Sequence, residues 1–591
     1  MTITYKSNYG GFLINIDKAT FYSILEDHFE LKELWTKDIW YTDNIKYYVD
    51  KERTWYTNEK QFVQVHKWIN WKLWLPKGHF YLVWAPFLAI LVDKMGVWIK
   101  KEEQNIDKSL RGFNFVKWVD LYPHQKKIVS KLSDTGQDNN QLILIREFWS
   151  KLLQTRITYA NINNVDKIVS LTKKYFPYFD NDIFSGYIIS PARSGKTIIM
   201  LALAQKLGLR TLVIVDKELI FNQFKSRIKQ FTDLDPNTEC RFYQGAKSFG
   251  KFDEKVQIGV GMIQTLAKLF DHTNTKKLEI IKEELSKYDL VLVDEAHTVA
   301  TDTFMKALSW LSFEKIFGFT ATKMRGDGNH RLLEYYIGET IMRIEQKEVS
   351  DMVYDIQVFP RKFVINDVLW FIKTKRGSYD TTIDKWAVKK LYNDNRRNNQ
   401  IFKDVENAID KQRLIIVIWE TLDHLDYLAH MLNIRYKEKK KWTNKDIAYV
   451  INSKTKKKDR EAILEAFDQA WKDRAEGKEY SPKVLLATAS LLGKGFDWPY
   501  FDTIFLVAPL WAKKKERWDD GRAGLVQVVN RIGNKVPWKK QPICVDYVDV
   551  EPEEVLINMA RSRYWNVYRD KYWDLKHNFK PSKSWNEVLN S

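Results

Sequence analysis

Cysteine is nearly missing from this chain: Cys240 and Cys544 are the only two in 591 residues. That number supports neither a disulfide framework nor a cysteine-ligated zinc cluster, and it fits a reducing compartment. Long apolar runs are missing too. The longest, YLVWAPFLAILV (81–92), is 12 residues and contains a proline. A bilayer span needs about 20, so the run reads as core. The N-terminus, MTITYKSNYGGFLINI, has no basic stretch followed by an apolar one and reads as no signal peptide. Repeats, low-complexity tracts, and nuclease or methyltransferase constellations are absent. The expectation is an intracellular chain with no membrane partner.

What is present is apolar content of 45% and a formal net charge of +19. The first allows sizeable cores in roughly three or four domains. The second points to a polyanion such as nucleic acid; a lysine-rich, AT-biased genome gives the same excess.

Residues 1–118 are dense in tryptophan: Trp35, Trp40, Trp55, Trp68, Trp71, Trp74, Trp84 and Trp98, with lysines among them. Such rings stack bases or fill a small core, and the core is the favoured reading for any single one. From residue 185 the texture changes. Apolar runs GYIIS (186–190), TLVIVD (211–216), QIGVGMI (257–263), LVLVD (290–294) and IFGFTAT (316–322) alternate with helix-like segments. RLIIVIW (413–419), DIAYVIN (446–452), KVLLAT (483–488), DTIFLVAP (502–509) and ICVDYV (543–548) form a second series. Unbroken apolar strands separated by helices predict parallel sheets covered on both faces, here two α/β lobes in tandem.

The first series opens with a strand, a small-residue turn and PARSGKTIIM (191–200), the context a phosphate-binding loop needs. Ser194 and Gly195 belong to that turn. Lys196 would reach the β- and γ-phosphates, and Thr197 would ligate Mg²⁺. Ser190 and Arg193 stand where glycine is usual. In LVLVDEAHTVA (290–300) a buried strand runs straight into two acids and a histidine. Asp294 fits as a second Mg²⁺ ligand, and Glu295 as the group that orients or deprotonates the attacking water. His297 is a candidate link to the second lobe.

PxxSGKT followed by DEAH resembles superfamily 2 helicases and translocases. In order come GMIQTL (261–266, with Thr265), which resembles a strand-tracking motif, and Thr320-Ala321-Thr322, the coupling motif. Ala487-Thr488 with Gly495-Phe496-Asp497 resembles the motif touching nucleic acid and nucleotide. Gln527 to Asn534 (QVVNRIGN) resembles the arginine-finger motif, with Arg531 as the finger. LYPHQ (121–125) resembles the adenine-reading motif, with Gln125 as reader. NRRN (395–398), TATKMR (320–325) and ICVDYVD (543–549) point to the UvsW-like phage and XPB-like branches.

The resemblance implies two tandem RecA-like lobes, residues 119–350 and 351–555, after an N-terminal α+β accessory domain at 1–118 and before an aromatic, basic extension at 556–591. It implies ATP and Mg²⁺ as cofactors and nucleic acid as partner, DNA favoured over RNA. The activity implied is ATP-driven unwinding or remodelling of branched intermediates. A viral or plasmid source would place it in a host cytoplasm. An RNA helicase or transcript-release motor, and an ATP-gated clamp with little turnover, stay open; the clamp is favoured by Asn530 and Asn534 in the finger motif, where Lys535 follows. A restriction-type motor would need a partner subunit. Gln125 lies far ahead of Lys196, so either residues 133–183 are an insertion or Gln125 is an ordinary helix residue. Asp216-Lys217 replaces the usual Pro-Thr, leaving strand contacts there open. ARSRYW (560–565) and RDKYW (569–573) either grip nucleic acid or dock on the second lobe, and KEKKK (437–441) reads as a solvated loop.

Overall fold

The computed structural model describes residues 2–8, 11–15, 44–49, 59–64, 67–69, 72–76, 80–101, 112–116, 120–134, 140–154, 165–191, 194–245, 248–250, 252–268, 275–296, 311, 313–321, 336–345, 348–349, 354, 356–365, 391–419, 421–439, 446–452, 455–478, 483–488, 500–510, 532–536, 539–550 and 555–564, and single positions 19, 23, 308, 525, 529 and 568. It divides into two compact units, Met1–Glu345 and Gln346–Ser591.

In the first unit, strands β1 (Thr2–Asn8) and β2 (Gly11–Ile14) pair antiparallel, as do β3 (Asn44–Val49) and β4 (Glu59–Gln64). Strands β5 (Lys67–Ile69), β6 (Lys72–Pro76) and β7 (Trp98–Lys101) complete a sheet in the order β5-β6-β2-β1-β7. The apolar run before β7 is helical, a turn at Phe80–Trp84 leading into α1 (Ala85–Met95). Phe87, Leu88, Ala89, Leu91 and Val92 are fully buried, so the run is core as expected. Pro86 sits in the first turn, where its missing N–H costs no hydrogen bond.

Helices α2 (Pro123–Ser133), α3 (Gln141–Gln154) and α4 (Val165–Tyr175) fill the stretch before the phosphate loop. Phe80, Tyr81, Phe176, Phe179 and Phe184 join in an aromatic cluster with centroids 5.3–6.0 Å apart. The Tyr81 hydroxyl donates to the Glu314 carbonyl at 3.3 Å. The segment around α1 is therefore packed into the first unit.

The main sheet follows: β8 (Ser185–Ile189), α5 (Lys196–Leu207), β9 (Thr211–Val215), α6 (Glu218–Phe231), β10 (Cys240–Tyr243), β11 (Ile258–Met262), α7 (Ile263–Lys268), α8 (Thr275–Ser286), β12 (Leu290–Val293), β13 (Lys315–Thr320) and β14 (Thr340–Arg343). Its order is β10-β11-β9-β12-β13-β8-β14, with every pairing parallel. The central strands are buried along their whole length, which is why they read as unbroken apolar runs. A Cβ at Gly259 would run into the Tyr288 hydroxyl, which is held against the Tyr243 hydroxyl at 2.9 Å; Tyr243 in turn donates to Glu284 at 2.9 Å.

The second unit holds β15 (Gln357–Val364), α9 (Asn395–Asp410), β16 (Ile415–Ile418), α10 (Leu422–Lys439), β17 (Ala448–Ile451), α11 (Lys457–Ala475), β18 (Val484–Ala487), β19 (Thr503–Leu506), β20 (Ile543–Val550) and α12 (Val555–Arg563). Its sheet, β15-β20-β19-β16-β18-β17, is parallel throughout. Strand alternation sends Ile416, Leu485 and Ile504 into one core and Val417, Leu486 and Phe505 into the other. Both units are therefore parallel sheets covered by helices, the architecture of tandem RecA-like lobes.

Two buried ion pairs tie helices to β20. Arg397 on α9 makes a bidentate contact with Asp549 (2.7 and 2.8 Å). Arg563 on α12 does the same with Asp546, which also accepts the Tyr568 hydroxyl. Arg563, Tyr564 and Tyr568 are buried, so this part of the C-terminal segment docks on the second unit; Trp565 and residues 569–573 lie outside the described residues. Lys437 and Lys439 stand in the last turn of α10, paired with Asp446 and Asp410, not in a loop. Among the described residues no helix is long and apolar enough to cross a membrane.

Candidate nucleotide site

Strand β8 ends at Ile189 and α5 begins at Lys196. Gly195 turns between them at φ 77°, a left-handed conformation that glycine adopts without penalty. Ser190 and Ser194 are fully buried, and the Ser190 hydroxyl donates to that of Ser194. The Ser190 N–H also donates to the Thr320 carbonyl at the end of β13, at 2.8 Å. The serine that replaces glycine here thus braces the loop.

A second tie comes from α2. Gln125 Nε2 donates to the Ser194 carbonyl at 3.0 Å, while its Oε1 accepts the Tyr122 N–H at 3.0 Å. His124 Nε2 lies 2.9 Å from the same carbonyl. A carbonyl oxygen only accepts, so this nitrogen carries the ring hydrogen. Gln125 is 1% exposed. It reaches the loop although α3 and α4 intervene between them in sequence.

Two strands away, β12 delivers Asp294 and Glu295. The Asp294 N–H extends the ladder to the Ile214 carbonyl at 3.0 Å, and its carboxyl accepts the Glu295 N–H at 2.9 Å. Glu295 sits at φ 44°, uncommon for a residue with a side chain and a mark of functional sites. Lys196 Nζ lies 3.1 Å from Glu295 Oε1, both largely shielded from solvent. Burial, then the Glu295 charge, pushes the Asp294 carboxyl up to about 6; Lys196, the Glu295 N–H and Lys217 act the other way.

Loop, lysine and acids fit a nucleotide with its cation. A buried carboxylate held short of positive charge is one that a divalent ion would relieve. Among the described residues no group of three or more His, Cys, Asp or Glu could hold a metal. Mg²⁺ suits such a site, since it is usually held by one or two protein groups and substrate phosphates.

Around this centre, Thr320 closes β13, fully buried, and Thr265 is buried on α7. Thr488 follows β18 in the second unit. Asp216, at the unusual Asp-Lys step, accepts Gln264 Nε2 through its carbonyl (2.8 Å) and its carboxyl (3.2 Å), joining β9 to α7. Thr197 opens α5 beside Lys196. His297, Thr322, Gly495, Asp497, Gln527 and Arg531 lie outside the described residues. Sequence reasoning placed His124, Lys217 and Gln264 inside quoted stretches but gave none of them a role at the nucleotide site. The signals were there: His124 stands beside Gln125, and Lys217 follows the carboxyl end of a strand next to that of Asp294.

Residues 119–325 match the ResIII family model, described as "Type III restriction enzyme, res subunit". The chain is 22% identical over 392 residues to the "Putative ATP-dependent RNA helicase L396" of Acanthamoeba polyphaga mimivirus, covering 66% of this chain and 64% of that one. It is 27% identical over 166 residues to the "General transcription and DNA repair factor IIH helicase/translocase subunit XPB" of Encephalitozoon cuniculi, covering 28% and 24%. Among solved structures it is similar to T4 UvsW at 14% identity and TM-score 0.31, covering 97% of this chain and 98% of that one. The matches thus span less than two thirds of the curated relatives' length.

Proposed function

We propose that this chain, whose residues 119–325 match the ResIII family model, is a DEAH-type superfamily 2 motor that hydrolyses ATP to unwind or remodel nucleic acid. The observation that carries the reading is the meeting of Lys196, Asp294 and Glu295 at the carboxyl ends of β8 and β12, where open α/β sheets bind ligands.

ATP with Mg²⁺ would supply the phosphoryl group whose hydrolysis drives the motor. Ser194 and Gly195 would offer backbone N–H groups, and Lys196 would bind phosphate charge. Thr197 and Asp294 would hold the cation, and Glu295 would orient the attacking water and take its proton. Thr265, Thr320, Thr322 and Thr488 are assigned to strand contact and coupling. His297, Gly495, Asp497, Gln527 and Arg531 keep the roles the resemblance gives them, with Arg531 as finger. Contacts to the phosphate backbone would dominate, giving binding that is independent of sequence and sensitive to salt.

DNA is the favoured substrate, supported by the DNA repair factor among the relatives; the relative named as an RNA helicase supports RNA. The viral relative supports a virus-encoded protein acting in a host cytoplasm. Steady-state ATP hydrolysis alone and with single-stranded DNA, branched DNA or RNA tests the reading. Stimulated turnover lost in Glu295→Gln is expected and ranks the substrates. ATP binding with no turnover under any condition would make the protein a clamp.

A further inference from the structure

Trp98 is the most exposed large apolar side chain among the described residues, at 59%. Trp84, from the same tryptophan-rich stretch, is fully buried. An indole left in water forgoes a large burial gain, so its exposure asks for a reason. The ring is not on a loose loop. The left-handed Gly96 donates its N–H to the Asp93 carbonyl at 3.3 Å and ends α1. Strand β7 then pairs in parallel with β1, Trp98 opposite Thr2.

The indole leans on Tyr175, with centroids 5.4 Å apart and planes at 58°. Tyr175 is buried, and its hydroxyl donates to Asp93 at 2.9 Å. Asp93 also accepts Lys174 Nζ at 2.9 Å, and that ammonium lies 4.7 Å over the Tyr175 ring. Strand alternation places Lys100 on the face of Trp98: 98 and 100 are exposed and Ile99 is buried. Among the described residues no acid pairs with Lys100. Asp93 and Asp180 neutralise Lys174 and Lys173, so among the described residues Lys100 is the cation on the face of the ring that no acid neutralises.

We propose that this face of β7 is a stacking site for an unpaired nucleotide, the base lying on the Trp98 indole and a neighbouring phosphate on Lys100. The proposal rests on the nucleic-acid reading above and places a contact outside the motor motifs. A fixed aromatic face with an adjacent cation suits single strands, because every base has a π-face. Duplex interiors keep their bases stacked and do not meet the ring. A protein partner would instead favour an apolar surround, whereas here Lys100 shares the face of the ring and the Lys174–Asp93 pair lies against Tyr175.

The test uses the full chain without ATP, reading fluorescence anisotropy of a labelled oligo-dT and a labelled blunt duplex at low salt. Trp98→Ala should weaken oligo-dT binding roughly 5- to 150-fold, the range for losing one base–aromatic stack. Trp98→Phe should keep most of the affinity. Lys100→Glu should weaken binding independently and lower its salt dependence. Duplex binding should be spared in both Trp98 variants, and unchanged thermal melting shows that all three variants fold. A Trp98→Ala chain that binds oligo-dT like the parent overturns the stacking site alone. A parent chain that binds neither oligonucleotide overturns the nucleic-acid reading and this site together.

Discussion

Lys196 Nζ rests 3.1 Å from Glu295 Oε1, so the two charges proposed for phosphate binding and for water activation neutralise each other. Glu295→Gln removes one of them. Turnover should fall about 10²- to 10⁴-fold, the usual contribution of general acid–base catalysis. ATP affinity should hold or rise, since Lys196 is no longer engaged by a carboxylate. Single-turnover hydrolysis with nucleotide-binding titration separates the two effects.

Asp294 carries a cost in stability. Its carboxyl is pushed from the ordinary value of about 3.9 up to about 6, first by burial and then by Glu295. The folded chain therefore binds this proton more tightly than the unfolded chain. The associated stability is present below pH 4 and is lost as pH rises through 6. Asp294→Asn should stabilise the nucleotide-free protein above pH 6, on the order of 1–3 kcal/mol, with the gain vanishing near pH 4. Denaturant titrations across that window read it directly. Mg²⁺-dependent hydrolysis should be lost in the same variant.

Gln125 spends both ends of its amide inside the protein, on Ser194 and Tyr122. From that geometry we propose that it positions the loop, in place of the adenine-reading role the resemblance implies. Gln125→Ala should raise the KM for ATP and GTP by similar factors while sparing the fold. A selective loss of ATP over GTP would instead mark an adenine reader. His124→Ala should act on the same carbonyl, so the double variant should fall short of additive.

Arg397 and Asp549 are both buried and, among the described residues, their side chains pair with each other, Arg397 also donating to the Val507 carbonyl and lying over the Trp419 and Tyr547 rings. Removing one partner strands a charge. Arg397→Met should destabilise the chain by about 3–5 kcal/mol, and Arg397→Met with Asp549→Leu by less. Chemical denaturation of the three variants checks the order.

Nine of the ten strands read from sequence were legible because their central positions are buried on both faces, leaving apolar runs without alternation; the tenth, β17, is a half-buried edge strand whose AYVI is apolar all the same. Strands β10, β14 and β15 stayed hidden. They sit at sheet edges, where half-exposed stretches such as CRFY, TIMR and QVFPRKFV carry polar residues. In the site, Lys196, Asp294 and Glu295 were readable because each lies at a fixed step from the end of an apolar strand. The ties that hold the loop were not. Ser190 to Thr320 and Gln125 to Ser194 join residues far apart in sequence, and only folding brings them together. Ser190 illustrates the limit, since it reads as a departure in the motif and acts as a brace in the fold.

The central claim is that ATP hydrolysis at Lys196, Asp294 and Glu295 does work on nucleic acid. Its most direct test is release of a labelled strand from a branched duplex, by the parent chain and Glu295→Gln side by side, with and without ATP and Mg²⁺. The account predicts release that needs both cofactors and fails in the variant. Release at the same rate without ATP, or undiminished in Glu295→Gln, would contradict it.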